Sequence, residues 1–227
     1  MTYILSLETS TNVCSVALHA DGKLKYTAEV HEDQAHAAKL AVLIDQLFHA
    51  SGIEPNQVSG VAVSAGPGSY TGLRIGTATA KGLCYALNVP LIAVGTLELM
   101  SFQVQRFNFS GGVLCPMIDA RRMEVYCMLM DAGGQTLAGP HPRIIDSASF
   151  ANELEVGQLV FFGNGAAKCR EVIVHRNAVF VEGIYPTASA LGELAHAQFL
   201  GGRFADLSTF GPLYLKEFVA KKARTLV

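Results

Sequence analysis

The chain has 227 residues, enough for one large domain or two small ones, and half of these residues are hydrophobic. Charged residues make up 16% of it, against about 25% in an average soluble protein, which predicts a surface that is poor in charge. A net charge of −2 and a pI near 6.4 argue against strong nucleic-acid binding by the chain alone.

The lengths of the apolar runs and the contexts of the cysteines indicate the cellular compartment. No run approaches about 18 consecutive apolar residues, and the N-terminus has no basic stretch followed by a long apolar core, so neither a membrane span nor a signal peptide is predicted. The five cysteines are scattered in apolar contexts, which is typical of buried free thiols in a reducing compartment. We therefore expect a cytoplasmic protein without disulfides or a zinc site.

Three strands joined by tight turns open the chain. The sequence predicts them over residues 3–7, 13–18 and 23–30, with Asp21-Gly22 turning the second into the third. A helix over residues 34–50 follows, and its apolar arc is wider than one sheet needs. The core stripe of this helix consists of Ala37, Leu40, Ala41, Ile44, Leu47 and Phe48.

The chain is organised around the stretch from residue 58 to residue 87. A short apolar strand over residues 61–65 leads into Gly66-Pro67-Gly68, and Ser69 or Thr71 is placed to cap the helix that follows. A glycine-rich turn before a helix can bind a phosphate through free backbone amides, but a tight strand-to-helix connection explains the same residues. Both interpretations stay open, and the motif taken alone favours the second.

Glycines inside this helix indicate a packing surface. Gly72, Gly76 and Gly82 each cost about 1 kcal/mol relative to alanine in a helix interior, so a close contact must offset them. With the preceding helix they predict an apolar patch too large for a monomer, which pairs with a second copy or with a partner of the same fold. The predicted interface residues are Leu40, Ile44, Leu47, Gly72, Leu73, Gly76, Thr77 and Ala80.

A second unit repeats the plan of the first. After a strand, a helix and a soft break at residues 108–112, a strand over 113–118 ends in Asp119, turns, and returns over 124–130 as the first hairpin does. The remaining pattern is weaker and predicts a loop through 133–142, a helix near 147–153, a strand over 159–162 and a helix over 188–200. The predicted fold is α/β with two subdomains, 1–107 and 108–227. The second is reduced, and the C-terminal segment packs back on the first.

Five segments together carry a resemblance to a known family: LSLETSTNVCSVAL, VAVSAGPGSYTGLRIGTATAKGL, PLIAVGTLELM, MIDARRMEVY and PLYLK. With the duplicated plan, they resemble the TsaB (YeaZ) family of bacterial accessory proteins for making threonylcarbamoyladenosine in tRNA. The resemblance covers nearly the whole chain and is most specific in its first half. It implies a duplicated actin-like ATPase fold of the ribonuclease H-like kind, in a glycoprotease-like (M22-type) family.

The resemblance also implies a function. It describes a non-catalytic accessory subunit that binds a TsaD-like catalytic paralogue and a TsaE-like ATPase, forms a homodimer when alone and meets tRNA only through the complex. The paralogue transfers a threonylcarbamoyl group to the adenosine beside the anticodon. Two alternatives from other classes are a weak nucleotide-binding ATPase or kinase-like protein and an M22-type metallopeptidase homologue.

The residues that a metallopeptidase would need are missing. In the catalytic paralogue, two metal-binding histidines one helical turn apart follow the strand after the glycine-rich helix. Thr96 and Met100 stand at the matching positions of this chain, and a hydroxyl and a thioether are poor ligands for iron or zinc. We therefore expect no metal site and no catalytic residue.

The nucleotide site of the ATPase fold looks degraded. Where its ATPases carry an aspartate followed by Gly-Thr or Gly-Ser, this chain has Glu8-Thr9-Ser10, and Asp119-Ala120-Arg121-Arg122 replaces the second glycine-rich turn. The two arginines suit either a solvated turn or a contact with a nucleotide phosphate, tRNA or a partner carboxylate. No tightly bound cofactor is expected, only weak binding of ADP or ATP at a partner interface. The candidate nucleotide or anion contacts are Glu8, Ser10, Arg121, Arg122, Gly163 and Gly165.

Overall fold

The computed structural model describes residues 1–32, 36–108 and 110–216, which form two five-stranded sheets. The strands of the first sheet are β1 (Tyr3–Glu8), β2 (Val13–Ala20), β3 (Lys23–His31), β4 (Val58–Ser64) and β5 (Leu91–Val94). Their order is β3-β2-β1-β4-β5. The first three are antiparallel neighbours, and β4 and β5 run parallel to β1.

The second sheet repeats this connectivity. Its strands are β6 (Val113–Asp119), β7 (Glu124–Met130), β8 (Thr136–Ile144), β9 (Leu159–Phe162) and β10 (Ala178–Val181). Read as β8-β7-β6-β9-β10, the order and the strand directions match those of the first sheet. The predicted duplicated α/β fold is therefore confirmed.

Helices cover the two sheets unequally. The described helices are α1 (His36–Ser51), α2 (Tyr70–Leu87), α3 (Thr96–Gln105), α4 (Ala151–Val156) and α5 (Ala188–Leu200). Both α1 and α2 pack on one face of the first sheet, whereas the described residues on the matching face of the second sheet form the six-residue α4 and a short 3₁₀ turn at Ala167–Cys169. The helical layer on this face of the second sheet is thus smaller than the one on the first sheet.

The other two helices cross between the units. From α3, Leu97 and Met100 pack against Leu114 and Phe162 of the second sheet. From α5, Leu191 and its neighbours pack against the first sheet. The strands β1 and β4 are therefore covered on both faces, which explains their continuous apolar composition.

The C-terminal segment returns to the first unit. The amide of Ala205 donates to the carbonyl of Leu91 over 2.8 Å, and the amide of Leu213 donates to the carbonyl of Ala65 over 2.7 Å. Residues 201–216 therefore follow the edge of the first sheet toward the start of α2. The basic residues Lys221, Lys222 and Arg224 lie outside the described residues.

Two predicted elements of the second unit need correction, and one strand is added to them. The predicted loop over 133–142 is wrong, because β8 forms there despite Pro140 and Pro142; an edge strand tolerates proline since one of its sides makes no ladder bonds. The four-residue edge strand β10 was not predicted. The helix placed near 147–153 begins only at Ala151, because Asp146 and Ser149 form a turn before it.

Among the residues described above, no helix is both long and apolar enough to cross a membrane.

Candidate functional site

The first hairpin ends in a buried carboxyl group. Glu8 closes β1 and accepts hydrogen bonds of 2.6 Å from both the amide and the hydroxyl of Ser10, and Ser64 donates to its other oxygen. The side chain is fully buried, and this burial raises the pKa of Glu8 to about 7. Burial and the nearby Glu8 also raise the pKa of Cys14 to about 11. These groups are buried, and the hydrogen bonds of the Glu8 carboxyl group are made to Ser10 and Ser64 of the same chain.

The glycine-rich turn seals this hairpin. The amide of Ser69 donates to the carbonyl of Ser10 over 2.7 Å, and a side chain at Gly68 would overlap that same carbonyl. Ser69 also caps α2 by accepting from the amide of Gly72 over 3.2 Å. The turn therefore makes a tight strand-to-helix connection, and the two amides of Ser69 and Gly72 are used within the chain rather than on a phosphate.

The small-residue face of α2 meets its own chain. A Cβ at Gly72 would overlap the carbonyl oxygen of Thr9, and one at Gly76 would overlap the Thr9 hydroxyl. That hydroxyl donates to the carbonyl of Gly72 over 2.8 Å. The expectation that another chain approaches these two glycines is wrong, because Thr9 fills the space.

The remaining predicted interface residues are also internal. All of them are buried, and the residues from α1 belong to the core between that helix and the first sheet. Each helix turns its most apolar side toward its own sheet, so this side cannot line an external surface. The correction applies to Leu40, Ile44, Leu47, Leu73, Thr77 and Ala80.

The outer sides of α1 and α2 present a different set of small and apolar residues. Val42 is 47% exposed and Tyr85 is 83% exposed. We call the following residues the α1–α2 outer surface: Ala38, Ala41, Val42, Ala78, Gly82 and Tyr85, all of them exposed. A Cβ at Gly82 would have nothing within 4 Å among the residues that the structure describes.

The positions that match metal ligands in the catalytic paralogue are part of the core. Thr96 and Met100 are fully buried, and the amide of Thr96 donates to the carbonyl of Gly66 over 2.9 Å. Within the part of the chain that the structure describes, no group of three or more histidine, cysteine, aspartate or glutamate side chains is arranged to hold a metal ion.

The second hairpin is open where the first is closed. Asp119 ends β6 as Glu8 ends β1, but its side chain is 45% exposed. Arg121 and Arg122, both exposed, adopt positive φ angles of 68° and 51°. The Lys168 ammonium fills the turn: it pairs with Asp119 and donates to the carbonyls of Arg122 and Glu124 over 2.6 and 2.7 Å.

The glycines after β9 have separate positions. Gly163, with a φ angle of 100°, lines a cleft of about 340 Å³ together with Asn164, Arg170, Phe180 and Tyr185. Gly165 lies under the second hairpin, where a Cβ would come within 3.0 Å of the Asp119 amide. The structure thus brings Gly165 next to the turn that contains Arg121 and Arg122, which we call the arginine turn, and places Gly163 in the neighbouring cleft.

Sequence reasoning missed two lysines of this region. Lys168 lies 49 residues from Asp119 along the chain, and no spacing pattern connects them. Lys216, which pairs with Glu124, had a signal, since it ends the family-like PLYLK segment.

Comparisons with known proteins agree over nearly the whole chain. Residues 30–223 match the family model described as TsaD: tRNA N6-adenosine threonylcarbamoyltransferase. The Escherichia coli (strain K12) protein named tRNA threonylcarbamoyladenosine biosynthesis protein TsaB is 30% identical over 96% of this chain and 96% of its own. Its namesake from Haemophilus influenzae is 28% identical over 96% of this chain and 95% of its own. The structure of YeaZ from Pseudomonas aeruginosa has a TM-score of 0.75 at 26% identity, covering 95% of this chain and 100% of that one.

The matched length, the shared names and the duplicated fold all agree, and the chain therefore belongs to the TsaB (YeaZ) family, within the wider family that the TsaD model describes.

Proposed function

We propose that this chain is a non-catalytic subunit that binds a TsaD-like catalytic paralogue and supports threonylcarbamoyl transfer to the adenosine beside the anticodon of tRNA. Its relatives are named for tRNA threonylcarbamoyladenosine biosynthesis, which supports the pathway. The sealed first hairpin supports a role other than ATP hydrolysis, because its carboxyl group is buried and cannot position magnesium or water.

The observation that carries the partner role is Gly82 on the α1–α2 outer surface. A glycine inside a helix costs about 1 kcal/mol relative to alanine, and at Gly82 no contact with a described residue offsets this cost. Exposed Ala78 and Tyr85 lie one turn away on either side, so a second helix can approach the backbone closely here. A paralogue of the same fold offers matching helices, and a second copy of this chain offers the same ones, so we propose a homodimer that the paralogue displaces.

Further parts of the proposal follow from this assembly. A TsaE-like ATPase joins the complex, tRNA enters through it, and ADP or ATP binds weakly at a partner interface. All five cysteines are free and buried, which supports the reducing environment of the cytoplasm as the place of action.

The test combines one surface variant with a matched control. Gly82→Gln adds a side chain where the monomer has open space, and Gly139→Gln does the same on β8 of the second unit. We expect both variants to melt cooperatively at or above the wild-type temperature, and only Gly82→Gln to lose co-purification with the TsaD-like subunit and homodimer formation in analytical ultracentrifugation. Unchanged assembly of folded Gly82→Gln would place the interface elsewhere. A reconstituted complex that modifies tRNA equally well without this chain would refute the proposed function itself.

A further inference from the structure

The arginine turn of the second hairpin is held in a costly conformation. Positive φ angles are unfavourable for residues that carry a Cβ, and Arg121 and Arg122 adopt them in succession. Asp119 accepts from the amide of Arg121 over 2.9 Å, and Lys168 binds the carbonyls of Arg122 and Glu124. These contacts fix the backbone of the turn, in which two exposed arginines follow one another.

The acids near the turn are already neutralised by lysines. Asp119 pairs with Lys168, and Glu124 pairs with Lys216. Neither Arg121 nor Arg122 forms an ion pair with another residue in the ranges 1–32, 36–108 and 110–216. The local charge is therefore positive, although the whole chain carries a net charge of −2.

Further cations and aromatic rings continue from this turn to the start of α2. Two residues before Lys216, the ring of Tyr214 packs 4.9 Å from the ring of Tyr70, centroid to centroid, and it is 42% exposed. The guanidinium of Arg74 donates to the Tyr70 hydroxyl over 2.8 Å. We define the basic track as Arg74, Tyr70, Tyr214, Lys216, Arg121 and Arg122.

The chemistry of the basic track fits a polyanion. A row of separated cations matches successive phosphates of a nucleic-acid backbone better than a single carboxylate, and arginine binds phosphate in a bidentate manner. The exposed part of the Tyr214 ring offers a stacking surface for an unpaired base. A nucleotide phosphate fits less well inside the turn, because Lys168 fills it and the turn directs carbonyl oxygens inward.

We propose that the basic track binds the phosphodiester backbone of tRNA within the complex, an inference that rests on the proposed function. The few cations of this track make a weak site by themselves, so binding depends on the contribution of the partner subunit.

The first test removes both guanidinium groups. In the assembled complex, Arg121→Gln/Arg122→Gln should raise the Kd for an unmodified tRNA transcript about tenfold and lower the salt slope of binding by about 2. Lys23→Gln/Lys25→Gln, which removes two exposed charges from β3, should leave both quantities unchanged.

The second test separates binding from stability. Glycine accepts positive φ freely, so Arg121→Gly/Arg122→Gly should melt at or above the wild-type temperature while losing tRNA affinity to the same extent.

The inference would be overturned if both arginine variants kept the wild-type tRNA affinity and salt slope. It would also be overturned if the variants lost tRNA affinity only because they no longer assemble with the partner subunit. A third contrary outcome is displacement of tRNA from the basic track by ATP or inorganic phosphate at millimolar concentration. A wild-type chain that does not assemble with the TsaD-like subunit would instead refute the proposed function.

Discussion

At the scale of single residues, the glycines of α2 serve two different purposes. Gly72 and Gly76 let the helix lie directly on Thr9, whereas Gly82 faces open space. The sequence could show that a close contact had to exist, because glycine is unfavourable inside a helix. It could not show which molecule makes the contact, since Thr9 lies more than sixty residues away along the chain.

The two kinds of glycine should respond to alanine in opposite directions. Gly72→Ala drives a methyl group into a backbone carbonyl and should lower the free energy of unfolding by roughly 1–3 kcal/mol. Gly82→Ala meets no atom within 4 Å and should raise the monomer's stability by about 0.5–1 kcal/mol. Urea denaturation of both variants below the concentration of dimer formation measures this difference. Equal stabilities would mean that α2 does not lie on Thr9.

Glu8 should make the stability depend on pH. The pKa of Glu8 is about 7 in the folded chain, against 4.5 for an ordinary glutamate, because burial disfavours the charged form. Between these values the folded state binds more protons than the unfolded state, so the free energy of unfolding falls as the pH rises from 4.5 to about 7. The pKa difference corresponds to roughly 3 kcal/mol across this window.

The measurement compares wild type with Glu8→Gln, which cannot ionise. We expect the stability of the wild type relative to this variant to be highest at the acid end of the window and to decline toward neutral pH, as followed by urea denaturation at several pH values. Parallel curves for the two proteins would show that folding does not raise the pKa of Glu8.

At the scale of elements, the sequence was most informative where local signals agreed. The first three strands, α2 and α5 could be predicted because apolar runs, turn residues and helical periodicity mark them locally. The edge strand β8 could not, because its prolines are typical of loops and its place at an edge is a tertiary fact.

The candidate site was predictable to a smaller extent. The unusual Arg121-Arg122 pair could be recognised from the resemblance, since it stands where a glycine-rich turn belongs. Two contacts could not be predicted: the ion pair of Lys168 with Asp119, and the packing of Gly68 against the carbonyl of Ser10. Both join residues that lie far apart in sequence. The same limit led to the wrong interface residues: helical periodicity identifies an apolar side but not what covers it.

At the scale of the whole molecule, the exchange of α3 and α5 joins the two units. The helix that follows the first sheet in sequence completes the apolar core of the second, and the last described helix completes that of the first. A boundary drawn by sequence near residue 107 therefore separates two sheets but not two independent cores.

This exchange amounts to an intramolecular swap, with a consequence for a chain cut between α3 and β6. Each fragment would keep a helix shaped for the other fragment's sheet. We expect the two fragments to aggregate when produced separately and to reassociate into one folded particle when produced together, as shown by co-purification through a tag on one of them. Fragments that stay folded and apart would contradict this. If the fragments reassociate as expected, the connection between α3 and β6 acts in the intact chain as a tether. It raises the effective concentration of two halves that already recognise each other.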